Sequence, residues 1–144
     1  MNHSPAGKIF TDLVLLTFRA NGELLVAGNK LASKQGLTSS KWQVMGAIDS
    51  SPQTVSEIAR VMGLARQSVQ RTADLLVKES ICEFILNPSH KNSQLLQLTA
   101  TGKKKMGNMD KLQIAWANNL AGNLPKAEMT TAVKTLKSLI NILQ

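Results

Sequence analysis

The stretch Thr54-Val55-Ser56-Glu57-Ile58-Ala59-Arg60-Val61-Met62-Gly63-Leu64-Ala65-Arg66-Gln67-Ser68-Val69-Gln70-Arg71 decides how the rest of this chain is read. Its opening is a capping-box pattern: the Thr54 hydroxyl can accept from the amide of Glu57, and the Glu57 carboxylate from the amide of Thr54. A short helix follows, with Ile58, Ala59 and Met62 on its inward face. Gly63 tolerates the left-handed backbone that a helix C-cap requires. A second helix then runs from Ala65 or Arg66 to about Glu79, with Val69, Ala73, Leu76 and Val77 as its apolar face.

Two short helices joined by a Gly-containing turn make a helix-turn-helix. Directly behind them the period changes. Ile81–Leu86 and Ser93–Thr99 carry short, partly alternating hydrophobic runs, and between them lies the polar, turn-rich Asn87-Pro88-Ser89-His90-Lys91-Asn92. This predicts a β-hairpin with a long tip, which makes the motif winged. The first turns of the second helix present Arg66, Gln67, Ser68, Gln70 and Arg71, with only Val69 apolar among them. Those side chains suit DNA: Arg grips guanine or phosphate, Gln pairs with adenine, and Ser donates to phosphate.

Outward from this segment the chain reads as helical. Residues 6–34 place Ile9, Leu13, Leu16, Leu24 and Ala27 near a 3.6 period, predicting a long helix weakened near Asn21-Gly22. Gly36 stops it, and Thr38 is a good N-cap for a helix through Trp42, Val44, Met45 and Ile48, ended by Ser50-Ser51-Pro52. After Thr99 a helix carries Met106, Met109, Leu112 and Trp116 as far as Gly122-Asn123. Pro125 stands near the start of a last helix striped by Met129, Val133, Leu136, Leu139, Ile140 and Leu143.

Composition bounds the function. The 144 residues suit one domain with a real core, and 43% hydrophobic content argues against disorder. Apolar stretches are far shorter than the roughly 20 residues a membrane span needs, so no membrane role is expected. No apolar signal core follows the N-terminus, since Asp12 and Arg19 interrupt the first hydrophobic stretch, and a cytoplasmic location is expected. One cysteine gives no disulfide framework and too few thiols for structural zinc. The net charge of +8 is uneven: residues 1–36 net +2, 37–99 net +1 and 100–144 net +5. Basicity is compatible with a nucleic-acid partner. The case for one rests on the helix residues, because the segment that would read DNA is almost neutral.

Taken in order, several motifs resemble the MarR family of transcriptional regulators. They are Leu37-Thr38 followed by Trp42-Gln43-Val44-Met45, then Thr54 to Leu64, Arg66 to Arg71, Asn87-Pro88, and Leu98-Thr99-x-x-Gly102. The resemblance runs from about residue 8 to the C-terminus. It implies a mainly α fold with a small β-hairpin wing: a winged helix-turn-helix with N- and C-terminal dimerisation helices. Residues 1–36 would be the N-terminal dimerisation helix, 37–99 the DNA-binding lobe and 100–144 the C-terminal dimerisation helices, all in one intertwined domain. The implied partners are double-stranded DNA and a second copy of the chain. DNA-contacting candidates are Arg66, Gln67, Ser68, Gln70 and Arg71, with His90, Lys91 and Asn92 at the wing tip. The family also implies a cleft for a small aromatic or anionic effector, with Phe18, Arg19, Trp42 and Met45 as candidate walls.

The chain departs from the family pattern in places. Ala65 stands where Ser often caps the recognition helix, and His90-Lys91-Asn92 stands where Asp-Arg-Arg is usual, so the wing is short of charge. Glu83-Phe84 replaces a common Glu-Arg. Lys103, Lys104 and Lys105 spread around a helix and read as solvated. Cys82, at the start of a wing strand with no basic neighbour in sequence, reads as a buried inert thiol. No metal-ligand spacing, catalytic triad or phosphate-cradling loop is present, so neither a cofactor nor an enzyme activity is expected. The expected function is a homodimeric repressor of a pseudo-palindromic operator. The alternative is a winged-helix protein-interaction module with weak or lost DNA binding.

Overall fold

The computed structural model describes residues 1–144, in the order α1 (Pro5–Ala32), a short 3₁₀ turn (Ser33–Gln35), α2 (Ser39–Ala47), α3 (Val55–Met62), α4 (Arg66–Lys78), β1 (Cys82–Ile85), β2 (Leu95–Leu98), α5 (Ala100–Ala121) and α6 (Lys126–Leu143). The fold is mainly helical with one antiparallel hairpin. It divides into two compact units, Met1–Met109 and Asp110–Gln144.

In the first unit, Ser4 caps α1 by accepting from the Gly7 amide at 3.0 Å, and Pro5 supplies the fixed φ of a first helical residue. The helix then runs unbroken through Asn21-Gly22, where the sequence predicted a weak point. A single interior glycine costs only about 1 kcal/mol against alanine, which a helix of 28 residues absorbs. Gly36, at φ 68°, turns the chain out of the 3₁₀ segment. Two polar contacts tie the end of α1 to the start of α2. Asn29 Oδ1 accepts from the Ser39 amide at 2.7 Å, and Ser39 Oγ donates to the Leu25 carbonyl at 2.8 Å. Gly28 makes the approach possible, since a Cβ there would stand 2.4 Å from Ser39 Oγ.

Thr38 caps α2 and Thr54 caps α3, the latter through both halves of the capping box: Glu57 N–H to Thr54 Oγ1 at 3.2 Å and Thr54 N–H to Glu57 Oε2 at 2.8 Å. Gly63, at φ 64°, ends α3 as the sequence required. The core of the unit lies between α2, α3, α4, the hairpin and the start of α5. Met45, Ile58, Leu76, Leu96 and Met109 are each fully enclosed, and burial of such side chains contributes about 1.5–3 kcal/mol apiece.

The hairpin pairs Cys82 with Leu98 and Ile85 with Leu95. Its strands are shorter than the alternating pattern suggested, and the tip is correspondingly longer. A further bridge joins Gln53, just before α3, to Leu96 of β2, with amide-to-carbonyl distances of 3.2 and 2.8 Å. β2 therefore lies between β1 and the approach to α3. Thr99 locks the return into α5: its hydroxyl donates toward the carbonyls of Ser80 and Ile81 and accepts from the Gly102 amide at 3.1 Å.

The second unit holds the C-terminal half of α5 and the whole of α6. No residue of α6 is buried, and Val133, Leu136, Ile140 and Leu143 of its apolar stripe are exposed. No helix of the chain is long and apolar enough to cross a membrane.

Candidate nucleic-acid interface

The interface is built on α4. A 3.6 period turns Val69, Ala73 and Leu76 into the core, and this leaves Arg66, Gln67, Ser68 and Arg71 exposed and Gln70 half-buried. Ala65 offers no side-chain cap, and the first turn of α4 holds no acidic residue. The leading N–H groups of the helix, at its positive dipole end, are thus left to an outside acceptor such as an anion.

Charge adds to this. Lys41 and Glu79 form the one ion pair in the chain. Arg66, Arg71 and Lys91 therefore carry their charge with no carboxylate within 4 Å, and remain available to phosphate.

The fold brings three of the sequence candidates together. Arg66 and Gln70 of α4 and Asn92 of the wing line a cleft of about 310 Å³, shared with Ser56 at the start of α3, Asp74 and Phe84. His90 lies in a second cleft of about 390 Å³ between the wing tip and the start of α3, near Glu57, Asn87 and Ser89. Gln67, Ser68, Arg71 and Lys91 line neither cleft and are exposed. The tip is shaped by Asn87, whose Oδ1 accepts from the Ser89 amide at 3.0 Å, an Asx-type turn.

The effector walls fare differently. Met45 is fully enclosed in the core, because α2 turns that face toward α3 and α4, so it offers no open wall. Phe18 is 72% exposed on α1, Arg19 is exposed and Trp42 is half-buried. None of the four lines either cleft.

Of the three consecutive lysines, Lys103 and Lys104 are exposed. Lys105 departs from the solvated reading: its Nζ donates to the Gln35 carbonyl at 2.6 Å, and Asn108 Nδ2 donates to Gln35 Oε1 at 3.1 Å. The pair satisfies the end of the 3₁₀ turn from α5. Cys82, at the start of β1, is buried, and burial pushes its thiol up to about 12, which favours the protonated form.

Two features of the site escaped the sequence reading. The Gln53–Leu96 bridge joins residues far apart in the chain and has no local signature. Asp74 enters the cleft one turn beyond Gln70 and accepts from its Nε2 at 2.9 Å. The i, i+4 spacing could have flagged that pair.

Comparison with known proteins agrees with the fold. Residues 35–91 match the family model of the MarR family. An uncharacterised protein of Mycobacterium tuberculosis is 32% identical over 128 residues, which is 89% of this chain and 90% of that one. A mutant MarR from E. coli complexed with operator DNA superposes with a TM-score of 0.77 at 23% identity, over 95% of this chain and 99% of that one. CouR from Rhodococcus jostii RHA1, bound to p-coumaroyl-CoA, superposes with a TM-score of 0.78 at 22% identity, over 89% and 91%. The helix-turn-helix, the hairpin wing and these matches lead to one assignment: the chain belongs to the MarR family of winged-helix transcription regulators.

Proposed function

We propose that this regulator is a homodimeric, sequence-specific binder of double-stranded DNA that represses transcription from a pseudo-palindromic operator. The observation that carries the reading is the exposed start of α4, where Arg66, Gln67, Ser68 and Arg71 face outward and the two arginines make no ion pair. Two such helices in successive major grooves would set half-sites about one helical turn apart. Each good bidentate contact to a base is worth about 1–3 kcal/mol of discrimination. Arg66, Gln67, Ser68, Gln70 and Arg71 are assigned to the major groove and the phosphates flanking it. His90, Lys91 and Asn92 are assigned to the backbone or minor groove. Exposed apolar side chains along α1 and α6 support the homodimer. The operator complex of the E. coli relative supports the DNA partner, and the p-coumaroyl-CoA complex of CouR supports release by a small aromatic or anionic ligand. The protein acts in the cytoplasm, without cofactor or enzymatic chemistry.

Selection of bound duplexes from a random pool, at stated salt, tests this reading. A palindromic consensus is expected. Arg66→Ala and Gln67→Ala should change the consensus, whereas Lys91→Ala should weaken all sequences alike and flatten the salt dependence. An unchanged profile in all three variants removes these roles. The alternative, a protein-interaction module, draws on the wing tip, where Lys91 is the sole cation between Asn87 and Asn92. Absent or salt-independent DNA binding would select it.

A further inference from the structure

We propose that Asp74 determines sequence preference indirectly, by fixing which face of the Gln70 amide is offered to DNA. The inference rests on the DNA-binding reading above and deepens it.

Gln70 occupies the second turn of α4 and faces the cleft between that helix and the wing. A free Gln is a two-faced reader: its Oε1 accepts and its Nε2 donates, the pairing that suits adenine. Here Nε2 donates to Asp74 Oδ1 at 2.9 Å. A carboxylate only accepts, so the orientation of the amide is dictated: nitrogen toward Asp74, oxygen left unpaired. Asp74 makes no ion pair, although Arg66 lines the same cleft, so its charge is not already committed elsewhere.

The consequence is chemical. With one N–H of Nε2 held by Asp74, Gln70 presents its unpaired Oε1 acceptor, and Nε2 keeps one further N–H beside it. The complementary groups in the major groove are the exocyclic amines, N6 of adenine and N4 of cytosine. Guanine O6 and thymine O4 are acceptors and would meet both Oε1 and the Asp74 charge unfavourably. Asp74 also shares its cleft with Arg66, so its negative charge lowers affinity for every sequence while sharpening the choice at one position. An acidic residue in a site that gathers phosphates is costly, and the Gln70 bond gives it a purpose.

The test compares wild type, Gln70→Ala, Asp74→Ala, Asp74→Asn and the Gln70→Ala/Asp74→Ala double variant, by selection from a random duplex pool and by affinity at several salt concentrations. Asp74 is exposed, and circular dichroism checks that each variant is folded. Gln70→Ala and Asp74→Ala should relax the same base pair in each half-site, by about tenfold, within the range of one directed contact. Asp74→Asn can turn either a donor or an acceptor toward Gln70, so it no longer dictates the orientation of the amide and should relax the preference as well. Both Asp74 variants should raise affinity across all sequences by removing a negative charge. Three results overturn the proposal: an intact preference in Asp74→Ala, an intact preference in Asp74→Asn, or a further change of preference on adding Asp74→Ala to Gln70→Ala. A wild type that binds no DNA sinks the parent reading and Asp74's role with it. A wild type with a palindromic consensus that Asp74→Ala leaves unchanged sinks the role of Asp74 alone.

Discussion

Gly102 shows how tightly one residue can be held by its surroundings. In an open helix interior, replacing glycine by alanine gains about 1 kcal/mol from propensity. At position 102 the added Cβ would stand 2.2 Å from the Ile81 carbonyl oxygen, a backbone atom that cannot rotate aside. Overpacking of this kind costs about 1–3 kcal/mol, so the clash outweighs the propensity gain. Gly102→Ala should destabilise the fold by about 2 kcal/mol in chemical denaturation. Gly107, in the same helix, meets nothing within 4 Å, and its alanine variant should be neutral or stabilising. Equal midpoints for the two variants would refute this account. Thr99 and Gly102 thus work as a pair: the hydroxyl holds the start of α5 against Ser80 and Ile81, and the missing side chain lets it come that close.

Within the helix-turn-helix, α4 starts without a side-chain cap. Thr38 and Thr54 cap their helices, whereas Ala65 makes no side-chain bond. Ala65→Ser should supply the missing acceptor and add about 1 kcal/mol of stability, read as a raised denaturation midpoint with unchanged slope. A loss of stability would mean that the start of α4 has another constraint. The caps also show what can be read from sequence. Thr54, Glu57, Gly63 and Thr38 act on neighbours three or four residues away, and their pattern predicted their structure. The ends of β1 and β2 were less legible, because alternation continues past the residues that pair. The continuity of α1 turned on a magnitude, one glycine against many turns. Lys105 with Gln35, and Gln53 with Leu96, are partners that no window along the chain contains. In the candidate site, the polar row from Arg66 to Arg71 was visible in the sequence. The enclosure of Met45, and Asp74's hold on Gln70, depend on how the helices pack and turn.

For the molecule as a whole, apolar surface is the quantity that needs a partner. Ile9, Leu16, Phe18 and Leu24 on α1, and Leu136 and Ile140 on α6, are all exposed in the single chain. A melting temperature that rises with protein concentration is therefore expected, since association stabilises the folded state by mass action. A constant value across a hundredfold range, with a monomeric mass in sedimentation, would contradict the homodimer. The placement of charge belongs to the same scale: +5 of the net +8 lies in residues 100–144, outside the lobe that would read bases. Within that lobe, the Gln53–Leu96 bridge has a mechanical meaning. With β2 paired to β1 on one side and to the approach of α3 on the other, the base of the wing is tied by backbone hydrogen bonds to the helix-turn-helix. Under the proposed DNA-binding reading, α4 and the base of the wing would meet a groove in a fixed relation, while the tip between Ile85 and Leu95 lies beyond those bonds.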